Sequence, residues 1–199
     1  MKNISCILLA AGLSQRMGQL KALLEWEGKP LIKYQVEQMK LAGVQHIHVV
    51  LGYRKEDIEK QLVNEDVYLH WNERYEQGKS TSIRKGASHL TDDSVATFIS
   101  SVDQPVQART LTQMVHALKQ TDKSIVIPTM NQRKGHPLLL ARSKFDELLQ
   151  VNEETEGLRH LIQMNEQDIH FVSINDPSIL YNFNTIEDYE RHRREGKKQ

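Results

Sequence analysis

Apolar residues recur along this chain in two rhythms. Residues 4–10, 46–51 and 95–102 are short, almost uncharged runs. Such runs read as strands buried on both faces. Between them apolar residues fall at helical spacing. In residues 30–42, Leu31, Ile32, Val36, Met39 and Leu41 follow that period, Pro30 suits a first helical turn and Gly43 ends the helix. Helices are likewise predicted over 55–63, 80–90, 110–118, 143–150, 157–164 and 186–194. Further strands are predicted over 67–71, 124–127 (ending at Pro128), 137–140 and 169–174, and residues 12–21 read as a loop. Strand–helix alternation at this spacing implies a mostly parallel sheet with helices on both faces. In such folds ligands sit beyond the carboxyl ends of the strands. That rule marks the loop after residue 10, the corner at Asp103 and the turn after residue 127.

Length and charge narrow the class. A chain of 199 residues suits one domain over 1–194, with 195–199 as a disordered basic tail. Lys and Arg total 26, as do Asp and Glu, so the formal net charge is zero. No dominant basic field exists to grip nucleic acid or a membrane surface. No stretch approaches membrane-spanning length, and the apolar opening reads as a strand rather than a signal core, so a cytoplasmic location is expected. The single cysteine, Cys6, lies inside the first strand and is expected to be a buried, inert thiol.

Three segments carry candidate chemistry. The first is Leu9-Ala10-Ala11-Gly12-Leu13-Ser14-Gln15-Arg16-Met17-Gly18-Gln19-Leu20-Lys21. Small residues let backbone approach a ligand, and successive N–H groups in such a loop surround an anion. Arg16 would grip phosphate bidentately, and Lys21 supplies a point charge. The loop is neither a Walker A sequence nor a dinucleotide fingerprint. An ordinary surface turn with solvated charges is the plain alternative. The second is Asp103, at the end of an apolar strand and before Gln104-Pro105. There a carboxylate suits Mg²⁺ shared with phosphates, or simply a turn or helix cap. The third runs from Asn72 through Gly78 to Ser80, Thr81, Ser82 and Gly86. A hydroxyl-rich helix start binds a base edge or phosphate, or merely caps its helix. His46 and His48 share a strand face, but too few partners lie near in sequence for a metal site. Trp26 and Trp71 are expected to pack, and Trp71, next to Asn72, would also wall a ligand site there.

Together these segments resemble the MobA-like NTP transferases, and the resemblance runs along nearly the whole chain. The opening Leu-Ala-Ala-Gly-x-Ser-x-Arg-Met-Gly-x-x-Lys is that family's signature. Asn72, Gly78, Ser82-Ile83 and Gly86 match a second segment, and Asp103-Gln104-Pro105 matches its metal-site Asp-x-Pro. Gly135-His136-Pro137 matches its Gly-His-Pro, Gly157-Leu158-Arg159 resembles its Gly-x-Arg, and Asn184-Thr185-Ile186-Glu187-Asp188-Tyr189 resembles its late motif. Ile186 stands where that family usually has Pro, Glu156 where it has Asp, and Asn182 and Asn184 where it has aspartates. The late motif thus resembles the guanylyl branch. The Ala10-Ala11-Gly12 opening resembles the cytidylyl branch and lies nearer the expected base.

The resemblance implies a three-layer α/β/α Rossmann-like nucleotidyltransferase. It implies nucleotide binding by Leu9, Ala10, Ala11, Gly12, Ser14, Gly18, Asn72, Gly78 and Ser82, and catalysis by Lys21, Arg16 and Asp103. The acceptor falls to Gly135, His136 and Arg159, and Mg²⁺ to Asp103 and Asn184. Its nearest branches are the molybdenum cofactor cytidylyltransferases and the accessory proteins of xanthine dehydrogenase. The implied reaction transfers CMP from CTP to the terminal phosphate of molybdenum cofactor, with a transient contact to a molybdenum hydroxylase. GTP, a sugar or polyol phosphate acceptor, or a non-catalytic cofactor carrier remain open.

Overall fold

A computed structural model describes residues 3–14 and 17–196. Its strands are β1 (Asn3–Ala10), β2 (Glu25–Trp26), β3 (Lys29–Pro30), β4 (His46–Leu51), β5 (Tyr68–Trp71), β6 (Ser94–Ser101), β7 (Ile125–Met130), β8 (Arg133–Lys134), β9 (Leu138–Ala141) and β10 (Ile169–Ser173). The α-helices are α1 (Leu31–Leu41), α2 (Lys55–Leu62), α3 (Lys79–Ala87), α4 (Ala108–Lys119), α5 (Phe145–Gln150), α6 (Leu158–Met164) and α7 (Ile186–Gly196). An eight-stranded sheet runs β10-β7-β9-β6-β1-β4-β5, with β8 paired to β7. β1 pairs in parallel with β4 and β6, β4 with β5, and β7 with β10.

The strands divide their side chains between two cores at the period-two spacing of a pleat. From β1, Cys6, Leu8 and Ala10 join the cluster under α1, α2 and α4, which contributes Ile32, Val36, Met39, Ile58, Leu111 and Met114. Ile7 and Leu9 point the other way, to Ile83 of α3, Leu148 of α5 and Leu161 of α6. Each such side chain contributes roughly 1.5–3 kcal/mol by leaving water, so two full faces outweigh any single polar contact. Burial also pushes the Cys6 thiol up, out of reach of thiolate chemistry. Gly86 lets α3 lie close on the sheet: a Cβ there would stand 2.4 Å from Ile7 Cγ2. Trp26 packs edge-on against Tyr34 and Tyr181 and tilts onto Phe183.

Several expected boundaries move. The strand expected to stop at Pro128 continues to Met130. Its pairing with β9 ends at Val126–Leu139, so Pro128, with no N–H to give, interrupts no bond on that side. β9 is antiparallel between β7 and β6, because the return from β7 through β8 is too short for a crossover. The 143–150 helix opens with a 3-10 turn, Arg142–Lys144, so its α-helical part begins at Phe145. The two-residue β2–β3 ribbon has no alternating pattern to announce it. α7 continues through Gly196, past the expected start of the tail, and residues 197–199 lie outside the described residues. Among the described residues no helix is long and apolar enough to cross a membrane.

His48 faces not a metal group but a ladder of rings. Its Nδ1 lies 3.0 Å from His70 Nε2, Tyr68 stacks on it at 5.1 Å, and His70 lies 3.8 Å from His89. Burial, then the charges of His46 and His89, push His48 down to about 4. Burial, then His89, His48 and Lys85, do the same for His70, also to about 4. The unfolded chain takes up these protons near pH ~6.5, before the folded chain does. Stability is therefore full above that value and lost as pH falls toward 4. The melting temperature should fall continuously between about pH 6.5 and 4.5, and His70→Gln should flatten the slope. Thermal melts followed by circular dichroism check this, and an unchanged slope in the variant would contradict it.

Candidate active site

Parallel pairing sends the carboxyl ends of β1, β4 and β6 to one edge of the sheet, and the candidate chemistry gathers there. Beyond Ser101 the chain turns tightly: Val102 N donates to Leu9 O at 3.0 Å and Gln104 N to Ser101 O at 3.0 Å. Gln35, fully buried on α1, braces this corner by donating its Nε2 to Ser101 O at 3.1 Å and Gln104 O at 2.7 Å. Phe183 N donates to Asp103 O at 3.0 Å. Asp103 is thus fixed by backbone on both sides, and its carboxylate is left for other work.

That carboxylate meets Lys21: Nζ lies 2.7 Å from Asp103 Oδ2, with the two side chains only 17% and 19% exposed. Partial burial makes such a pair stronger than a surface one, where solvent and salt reduce the gain. Lys21 is itself tied to the loop, its N–H donating to Ser14 Oγ at 3.2 Å. Ser14 holds a left-handed backbone, φ 52°.

A cleft of about 360 Å³ opens over this pair. Its walls include Leu9 and Ala10 from the end of β1, Ala11, Gly12 and Ser14 from the loop, Gly78 before α3 and Ser82 within it, and Lys21, Asp103 and Asn184. The three stretches singled out in the sequence therefore share one concavity. Tyr75, Lys79 and Ser101 also line it. Tyr75 stands at the aromatic position of the matched segment that begins at Asn72, whereas Lys79 and Ser101 had no motif position to mark them.

Asn72 lies behind the wall. It is buried, and its Nδ2 donates to Thr81 Oγ1 and Ser82 Oγ, both at 2.9 Å, while Oδ1 accepts from Arg74 N at 3.0 Å. It positions the start of α3. Gly78 has φ 106°, and a Cβ there would come within 2.4 Å of Glu153. Glu153 Oε1 accepts from Ser80 N at 2.5 Å.

Other expected site residues lie apart. Gly18 takes a left-handed turn, φ 64°, away from the cleft wall. Gly135 is buried where a Cβ would meet Ile179 O at 2.7 Å, and His136 N donates to that oxygen at 2.8 Å. Burial first, then the Lys79 charge, hold the His136 imidazole below its ordinary value, with Asp103 opposing. His136 therefore sits within the field of the cleft without lining it. Arg159 is 74% exposed, 3.5 Å from Glu156, and does not line the cleft. Trp71 is exposed under Lys55, 3.8 Å from its ring, and does not wall the cleft. Arg16 lies outside the described residues.

The donor set suits a divalent cation only in company with a ligand. Among the described residues no three His, Cys, Asp or Glu side chains form a metal-holding group. Asp103 commits one oxygen to Lys21, and Oδ1 accepts no hydrogen bond among the described residues. The Asn184 amide is similarly uncommitted, only its backbone N being bonded, to Asn182 O. Mg²⁺ takes one or two protein oxygens and completes its shell with phosphate and water. These two residues fit that pattern.

The family model described as the MobA-like NTP transferase domain matches residues 6–169. The chain is similar to the molybdenum cofactor cytidylyltransferase of Escherichia coli (strain K12), 26% identical over 190 residues covering 95% of each chain. It is also similar to the bifunctional protein GlmU of Ruthia magnifica subsp. Calyptogena magnifica, 22% identical over 177 residues. That match covers 87% of this chain but 38% of the longer protein. Among solved structures, a nucleotidyl transferase from Methanothermobacter thermautotroptrophicus superposes with a TM-score of 0.84. It is 24% identical, with 100% of this chain and 99% of that one covered. The three-layer nucleotidyltransferase fold expected from the sequence is the fold observed.

Asn72→Ala would leave the Arg74 N–H, and the hydroxyls of Thr81 and Ser82, without their partner. Loss of buried hydrogen bonds of this kind costs about 1–3 kcal/mol. Denaturant unfolding should show a loss in that range, and unchanged stability would mean that Asn72 does not hold the wall.

Proposed function

The chain belongs to the MobA-like NTP transferase family, a nucleotidyltransferase family, and from that premise we propose that it transfers CMP from CTP to the terminal phosphate of molybdenum cofactor. The observation that carries the reading is the Lys21–Asp103 pair at the foot of the glycine-containing loop. It sets a cation and a carboxylate beside backbone amides, as a metal-bound polyphosphate requires. The cytidylyl choice rests on the Ala10-Ala11-Gly12 opening and on similarity over 95% of the chain to a molybdenum cofactor cytidylyltransferase.

In this reading the triphosphate lies over residues 10–14, where small side chains allow backbone N–H groups to approach its oxygens. Lys21 exchanges Asp103 for a phosphate oxygen, so one charge-assisted contact replaces another. Gly78 and Ser82 line the end of the cleft that takes the base. Asp103 and Asn184 would hold Mg²⁺, which when bound neutralises charge developing on the phosphates. An acceptor phosphate oxygen attacks the α-phosphorus in line. A new P–O bond forms as the bond to the bridging oxygen breaks, and its electron pair leaves with pyrophosphate. The attacking oxygen is already anionic, so no protein base is needed. Rate enhancement comes from positioning and fixed charge.

Asn184, an amide in place of a carboxylate, favours one rival: a carrier that binds the cofactor or the nucleotide without turning it over. Pyrophosphate release separates the two. With molybdenum cofactor present and each of the four triphosphates supplied in turn, CTP should give release and the others little. A protein that binds CTP yet releases nothing is the carrier, and release with GTP alone overturns the base assignment. Lys21→Ala and Asp103→Ala should each lower kcat by about 10²-fold or more, the scale on which lost electrostatic contacts act. Their circular dichroism should stay unchanged, and full activity in either variant would remove that residue from the mechanism.

A further inference from the structure

The cleft carries more positive charge than its own carboxylate balances. Lys21 is already paired with Asp103. A second ammonium, Lys79, lines the same cleft and forms no ion pair among the described residues. Its Nζ makes one hydrogen bond, to Ser101 Oγ at 2.8 Å. An ammonium has three N–H bonds to place, so most of its donor capacity is unspent. Lys79 is exposed as a residue and lines the cleft, yet burial around its ammonium lowers its affinity for a proton. Asp103 and Glu153 oppose that effect, and Lys21 adds to it.

Lys79 opens α3, whose free N–H groups would themselves attract an anion. Glu153 takes one of them, Ser80 N at 2.5 Å, and sets a carboxylate at that helix end. A second anion is therefore opposed at the helix end, while the ammonium keeps most of its donors free.

Lys79 reaches the cleft from α3 and Lys21 from the loop after β1, so the two ammonium groups enter from different elements and bond different partners, Ser101 and Asp103. The reaction must bring a phosphate dianion up to a triphosphate, and like charges oppose that approach. The loop amides and Lys21 are used by the triphosphate, so a separate cation is needed for the incoming group.

We propose that Lys79 binds the phosphate of the acceptor, the nucleophile, and holds it against the α-phosphate. The proposal rests on the nucleotidyl-transfer reading above, and its test does not depend on turnover. The full chain is loaded with α,β-methylene CTP and Mg²⁺, and inorganic phosphate is titrated in as a probe of the nucleophile's seat. Binding is followed by ³¹P NMR in the wild type, Lys79→Met and Lys79→Arg. Lys79→Met should weaken phosphate binding about tenfold or more, the scale of a lost charge-assisted hydrogen bond. Its affinity for the CTP analogue should stay within about twofold, and Lys79→Arg should restore most phosphate binding, because the charge is what acts. A merely structural role would move both affinities together, with a lowered melting temperature. Unchanged phosphate affinity in Lys79→Met would overturn the proposal. So would a tenfold loss of analogue affinity, which would assign Lys79 to the triphosphate, or a loaded wild type that binds no phosphate. Absence of pyrophosphate release counts against the nucleotidyl-transfer reading alone, since phosphate affinity still decides the place of Lys79.

Discussion

The contact between Lys21 Nζ and Asp103 Oδ2, 2.7 Å long, joins residues 82 positions apart in sequence. It exists only because β1 and β6 are parallel neighbours whose carboxyl ends fall together. Lys21 arrives from the loop that leaves β1, Asp103 from the turn that closes β6. Gln35 of α1 then fastens the Ser101 and Gln104 carbonyls around Asp103, and Phe183 before α7 bonds the Asp103 carbonyl itself. A central interaction supported in this way depends on the whole sheet and not on local turns. The pair is partly buried but reached from the cleft, and in the reading proposed above it would exchange partners when a polyphosphate binds.

The second wall of the cleft is built differently. Close packing shapes it. Gly86 brings α3 down onto Ile7, Gly78 makes room for Glu153, and Asn72 ties the hydroxyls of Thr81 and Ser82 in place. In the reading proposed above this wall would face the base, and the Lys21–Asp103 side the triphosphate. Lys79 stands where they meet.

Long apolar runs and helical spacing made the sheet and its flanking helices legible, because burial on both faces leaves a continuous uncharged run such as residues 4–10, too brief for a membrane span. The antiparallel place of β9 and the β2–β3 ribbon were not legible, since pairing partners are decided by connection length and tertiary neighbours. The loop, Asp103 and the start of α3 were readable as separate segments, while their convergence follows from topology. Asn72 was readable as a site residue but not as a brace, because its partners lie nine and ten positions on, across a turn. Lys79 lacked a pattern of its own. Its reach to Ser101 appears only once β6 and α3 are packed. Arg159 shows the reverse: a matched motif position that points to solvent beside Glu156.

The most direct measurement is a crystal structure of the chain with a non-hydrolysable CTP analogue and Mg²⁺. The account predicts the triphosphate over residues 10–14, with Lys21 Nζ withdrawn from Asp103 and bonded to a phosphate oxygen, and Asp103 facing the same phosphates. A triphosphate bound elsewhere, with the Lys21–Asp103 contact unbroken, would contradict it.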